Sequence, residues 1–182
     1  MRKIFFATLA ALLLTLNTAA AQTNYNFVPV TDFNPQTFVE RMVAGPRYQQ
    51  LVQNGVVLAF VSPVRRADLD DTQNFPGFSV YKSDFGVKGA PNSDGQIRFY
   101  VDAQGSVYSI QVINENAGAA NVSTMVLIMT LEALGLNEQE GNVLLQTPGP
   151  RAETWCAAAN RRILRMVTDG VGNVVFLFGA SN

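Results

Sequence analysis

Residues 96–114 read Gln96-Ile97-Arg98-Phe99-Tyr100-Val101-Asp102-Ala103-Gln104-Gly105-Ser106-Val107-Tyr108-Ser109-Ile110-Gln111-Val112-Ile113-Asn114. Two runs rich in β-branched and aromatic residues flank Asp102-Ala103-Gln104-Gly105, whose glycine suits the left-handed position of a type I turn with a bulge. That predicts a hairpin, and with it antiparallel pairing rather than a parallel crossover. Two arguments about its register disagree. The bulged turn pairs Asp102 with Ser106, which sets Tyr100 opposite Tyr108 but leaves Phe99 facing Ser109. A two-residue loop pairs Phe99 with Tyr108 and Ile97 with Ile110, a cleaner apolar face, but it demands positive φ at Ala103 and Gln104. Alanine resists that conformation, so the bulged register is the expectation.

Outward from this hairpin, Ile163 to Thr168 and Val174 to Phe178 flank Asp169-Gly170-Val171-Gly172-Asn173 as a second one, which brings the last segment into the sheet. Val56 to Val61 is a short apolar run closed by Ser62-Pro63, and Phe78 to Lys82 is a further strand. Trp155 to Asn160 fits either strand or helix. Two helix pairs punctuate the strands. Asn34-Pro35 is an N-cap followed by proline at the first helical position, with Phe38, Val39 and Met42 on one stripe. Gly45-Pro46 interrupts that helix, and a second runs from Arg47 to Gln53. Asn121 and Ser123 are candidate caps for a helix ending at Leu134 before Gly135. Its apolar residues cover so much of the circumference that it must be buried on two sides. Asn137 caps a weaker helix through Gln146.

This order predicts an α+β fold: an antiparallel sheet of four to six strands packed against the two helix pairs in a two-layer sandwich. Each helix pair precedes strands, which fits an internal duplication, although no residue-level repeat accompanies it.

The front of the chain reads as an export address. Arg2 and Lys3 form a basic start, Ile4 to Leu16 is an apolar run too short to span a bilayer, and Ala19 and Ala21 are the small residues a signal peptidase requires. Cleavage is expected between Ala21 and Gln22, leaving residues 22–182 as one globular domain in the periplasm or outside the cell. With the lone cysteine at position 156, the leader holds no site for a lipid, so no membrane anchor is expected after cleavage.

Composition excludes several functions. The 182 residues are 48% hydrophobic and 15% charged, inside the globular range. With 13 Lys plus Arg against 14 Asp plus Glu, the net charge is -1 and nothing marks a nucleic-acid partner. Histidine is absent and Cys156 is the single cysteine, so Ser-His-Asp, Cys-His, Cys-rich zinc and intramolecular disulfide arrangements fail by count. No cofactor or metal is implied.

The remaining chemistry is thin. Ser79-Val80-Tyr81-Lys82 matches S-x-x-K, but in a strand the serine and lysine point to opposite faces. Asp68, Asp70 and Asp71 share a loop with Arg65 and Arg66, yet a calcium loop starting at Asp68 lacks glycine at Gln73 and glutamate at Ser79. A solvated loop with weak ion pairs is the plainer reading. Gly170-Val171-Gly172 lacks a third glycine at Val175 and lies between strands. Cys156, in Trp155-Cys156-Ala157, suits burial as a free thiol, with a bridge to another chain as the alternative.

Tyr81, Tyr100 and Tyr108 fall on strands, and tyrosine is enriched at interfaces because it joins an apolar body to a polar tip. They are the candidate binding residues. The sequence therefore points to an exported, non-catalytic binding or interaction module, with another exported protein as the partner. One alternative is a hydrolase using two of Asp68, Asp70, Asp71, Asp84 or Asp94 in a cleft. Another is a carrier of a small apolar ligand, held in a void between the 122–134 helix and the sheet.

Overall fold

A computed structural model describes residues 26–67, 77–89, 94–115, 120–145, 153–157, 163–168 and 174–181. Along the chain run β1 (Asn26–Val28), α1 (Pro35–Ala44), α2 (Pro46–Gln53), β2 (Leu58–Phe60), β3 (Arg65–Arg66), β4 (Ser79–Val87) and β5 (Gly95–Val101). They are followed by β6 (Val107–Asn114), α3 (Ala120–Ala133), α4 (Glu138–Leu145), β7 (Glu153–Ala157), β8 (Ile163–Thr168) and β9 (Val174–Ser181). The strands form one antiparallel sheet in the order β2-β4-β5-β6-β9-β8-β7, with β1 added to β9 and β3 added to β4. This is the α+β sandwich that the alternation of helix pairs and hairpins implies. At nine strands the sheet is wider than the patterned segments alone suggest. The additions β1, β3 and β7 are two to five residues long, and backbone pairing rather than side-chain alternation recruits them.

The β5–β6 hairpin keeps the bulged register at its loop and takes, beyond Tyr100, a register that neither argument gives, so the pairs Phe99–Tyr108 and Ile97–Ile110 of a two-residue loop do not form. At the loop, the Asp102 N–H donates to the Ser106 carbonyl at 3.0 Å, and Gly105 sits at φ 89°. Asp102 Oδ1 also accepts from the backbone N–H of Gln104 and of Ser106, at 2.9 and 2.8 Å. The register then shifts between Tyr100 and Val101. Val101 faces Val107, but Tyr100 faces Ser109, not Tyr108 as the simple bulged register predicts. Tyr108 is the extra residue. Beyond it Phe99 faces Ile110 and Ile97 faces Val112, so apolar residues meet on one face. Turn chemistry governs the loop end and hydrophobic burial governs the rest, and a one-residue bulge joins the two.

On the face so aligned lies the main core. Phe85, Ile97, Phe99, Ile110 and Leu177 are fully buried beneath Phe38 and Met42 of α1 and Val126 and Met129 of α3. Phe38 meets Phe99 edge to face, with ring centroids 5.6 Å apart. Asn34 caps α1 as its sequence predicts, its side-chain oxygen accepting from the Thr37 N–H at 2.9 Å. Helix α3 touches α1, α2, α4 and β6, which accounts for apolar residues around most of its circumference. Its buried Thr130 donates to the Val126 carbonyl at 2.7 Å, so the hydroxyl is satisfied within the helix.

The opposite face of the sheet carries a smaller apolar cluster of Ala67, Val80 and Tyr100, with Phe78 against it. Around that cluster sit buried polar groups, Lys82, Ser109 and Gln111. No helix among the described residues is long and apolar enough to cross a membrane.

Candidate functional site

The three candidate tyrosines do not form one surface. Tyr81 faces Phe99 across the strands and packs against the main core on the helical side of the sheet. Tyr100 lies on the other face, opposite Val80 and Ser109, and is 4% exposed. Its hydroxyl donates to Gln111 Oε1 at 2.6 Å. Tyr108, half-buried at the bulge, meets Phe78 edge to face at 5.7 Å. Alternation along β4 and β5 separates Tyr81 from Tyr100, because paired residues share a face and successive ones do not.

The same alternation divides Ser79 from Lys82 on β4. Ser79 faces Val101 on the core side and Lys82 faces Arg98 on the other, so the S-x-x-K spacing brings no serine to a lysine. Among the candidate carboxylates, Asp84 forms an ion pair with Arg65 at 3.4 Å. Asp94 is buried, its Oδ2 accepting from the Val87 N–H at 3.1 Å and its own N–H donating to the Phe85 carbonyl at 2.8 Å. The first contact ties β3 to β4, and the Asp94 bonds hold the β4–β5 hairpin together. Asp68, Asp70 and Asp71 lie outside the described residues, as do Ala21, Gln22 and the Gly170–Gly172 loop. Cys156 lies on β7, its backbone paired with Leu164 of β8.

A cavity among the described residues lies elsewhere, in a cleft of about 450 Å³ between α2, α3 and α4. Its apolar lining comes from Leu51, Met125, Ile128, Met129, Leu131 and Leu136. Arg47, Gln50, Glu132 and Glu138 supply polar groups to the same cleft. Two contacts set its walls. Arg47 pairs with Glu138 at 3.2 Å, linking α2 to α4, and Glu132 Oε2 accepts from the Arg47 backbone N–H at 3.2 Å, linking α3 to α2. Helix α4 is started by Asn137 and Glu140 in reciprocal bonds. The Asn137 N–H donates to Glu140 Oε2 at 2.8 Å and the Glu140 N–H to Asn137 Oδ1 at 2.9 Å. That capping fixes where α4 turns away from α3 and so the mouth of the cleft.

The sequence reading expects a void between the 122–134 helix and the sheet. The cleft instead lies on the side of α3 that faces α2 and α4. Apolar residues on the second side of α3 were the signal available in the sequence, but the partners of that side come from segments some 80 residues apart. Periodicity does not join such segments.

Comparison with protein-family models, with curated proteins and with solved structures finds no match to this chain.

Proposed function

We propose that the chain is an exported, non-catalytic binding module whose ligand site is the α2–α3–α4 cleft, and that the ligand is a small, largely apolar molecule. The observation that carries this reading is the cleft itself: an apolar lining, a polar mouth and a volume of about 450 Å³. Small-molecule sites have this build, an apolar wall with a few placed polar groups and a volume of roughly 300 to 1,000 Å³. Export rests on the Arg2–Ala21 pattern, which directs the product to the periplasm or the medium.

A hydrolase has less support, because Asp84 is paired with Arg65 of β3 and Asp94 is bonded within the β4–β5 hairpin. A protein partner docking on the strand tyrosines also has less, because Tyr100 is buried and Tyr81 lies on the opposite face.

Titration of residues 22–182 with the neutral fluorophore N-phenylnaphthylamine tests the reading. Saturable one-to-one enhancement is expected. Ile128→Glu, which places a charge in the lining at a half-buried position, weakens it by about tenfold or more. Enhancement that does not saturate, or that survives unchanged in Ile128→Glu, removes the cleft as the site.

A further inference from the structure

We propose that the α2–α3–α4 cleft selects an amphiphilic organic cation, an alkylammonium, over an anion of the same length; the inference rests on the reading of that cleft as the ligand site. Among the described residues, three charged side chains line it: Arg47, Glu132 and Glu138. One positive and two negative groups give the lining a formal net charge of -1. The positive one is already engaged. Arg47 pairs with Glu138 at 3.2 Å, and its Nη1 donates to Gln50 Oε1 at 3.3 Å. An anion entering the mouth competes with Glu138 for that guanidinium, whereas a cation does not.

The other features that would draw an anion are filled by the protein's own groups. A helix start seats anions, because its N–H groups are unpaired and its dipole is positive there. Helices α2 and α4 both start beside the cleft. At α2, Pro46 has no N–H and that of Arg47 is bonded to Glu132 Oε2. At α4, Glu138 and Glu140 stand in the first turn, and Asn137 and Glu140 cap each other. Helix α3, by contrast, ends there, with Glu132 in a last turn that holds no basic residue to offset the negative end of its dipole. A cationic head at the mouth therefore meets two carboxylates and the carbonyl end of a helix. The Arg47 N–H uses one oxygen of Glu132, and a carboxylate accepts several bonds, so Glu132 can accept from an ammonium as well. The alkyl tail then lies on Met125, Ile128 and Leu136.

Displacement of bound N-phenylnaphthylamine from residues 22–182 by octylammonium, octan-1-ol and octanoate tests this. The three share one chain length, and at pH 7 the amine and the acid are both ionised. At low, constant ionic strength octylammonium is expected to displace the probe at a concentration about tenfold below that of octanoate, with octanol between them. Glu132→Gln and Glu138→Gln each bring the lining to neutrality and narrow that ratio to about threefold or less. Glu138 is 74% exposed, so its substitution does not endanger folding. Octanoate displacing the probe as well as octylammonium does, or octylammonium failing to displace it, overturns the inference and leaves the cleft as the ligand site. A tenfold ratio that persists in both variants overturns it too, since the preference then has another source. Absence of saturable probe binding removes the cleft itself, and the inference with it.

Discussion

Glu132 of α3 caps α2 from 85 residues away, its Oε2 accepting from the Arg47 N–H at 3.2 Å. Helix α2 has no side-chain cap of its own, because Gly45 occupies the N-cap position. The carboxylate satisfies one of the four orphan donors and places a negative charge at the positive end of the helix. The same approach explains the glycine: a Cβ on Gly45 would lie 2.7 Å from Glu132 Oε2. Glu132→Ala is expected to destabilise the fold by about 1 kcal/mol, as the loss of an N-cap does, and Glu132→Gln by less. Gly45→Ala, by pushing the carboxylate off the helix end, should cost about as much as Glu132→Ala, and the double variant little more than either alone. Urea denaturation of the four proteins checks this, and full additivity would show that the two residues act separately.

The buried bond between Tyr100 and Gln111 yields a second expectation. Tyr100→Phe leaves Gln111 Oε1 without that donor on a face where both residues are less than a tenth exposed. An acceptor stranded in this way costs about 1 to 3 kcal/mol. Tyr100→Phe should therefore lower stability by about that amount while leaving the β5–β6 register intact, since the ring still packs on Val80. Amide exchange of the hairpin distinguishes the two effects. Exchange rates in β5 and β6 that rise far beyond the global loss of stability would mean that the tyrosine sets the pairing itself.

How far the sequence discloses this molecule depends on the distance over which each signal acts. The Asn34 cap, the Gly45-Pro46 break and the Gly105 turn are local, and each appears where chain chemistry puts it. The register beyond Tyr100 was only half legible. Turn and hydrophobic pattern disagreed, and a bulge at Tyr108 keeps the turn while setting Phe99 opposite Ile110, a pairing that neither argument gives. Strands such as Arg65–Arg66 carry no pattern of their own and exist because β4 offers an edge. The cleft joins Arg47, Glu132 and Glu138 from three helices, a juxtaposition that is not encoded in spacing.

Two glycines should respond oppositely to alanine. Gly105 has φ 89°, in the left-handed region, so Gly105→Ala is strained whatever the space around it and should cost about 1 to 2 kcal/mol. Gly141 lies inside α4, and a Cβ there would meet Leu131 Cδ1 at 3.9 Å, an ordinary contact. Gly141→Ala removes the entropic penalty of a helical glycine and should stabilise by about 0.5 to 1 kcal/mol. Thermal unfolding of both variants reads the signs directly. Since Gly141 lines the cleft, the same variant should also change the affinity for N-phenylnaphthylamine if that probe occupies the site.

Processing between Ala21 and Gln22 would leave every described element in place. The first strand begins at Asn26, which pairs with Ser181 at the end of β9, and Phe27 and Val28 continue that pairing against Ala180 and Gly179. Phe27 also meets Phe178 edge to face at 6.0 Å. Cleavage at the expected bond thus preserves β1, whereas a cut several residues later would remove it and expose the backbone of β9 that β1 covers. The full chain expressed with an intact export pathway should yield a product whose mass begins at Gln22. Ala19→Arg, which puts a long charged side chain where the peptidase requires a small one, should leave the precursor uncut. The chain shortened to start at Gln22 should have the same Tm as the processed product, and one shortened to start at Pro29 a lower Tm. Recovery of the wild-type protein with Arg2 and Lys3 still attached would overturn the export reading.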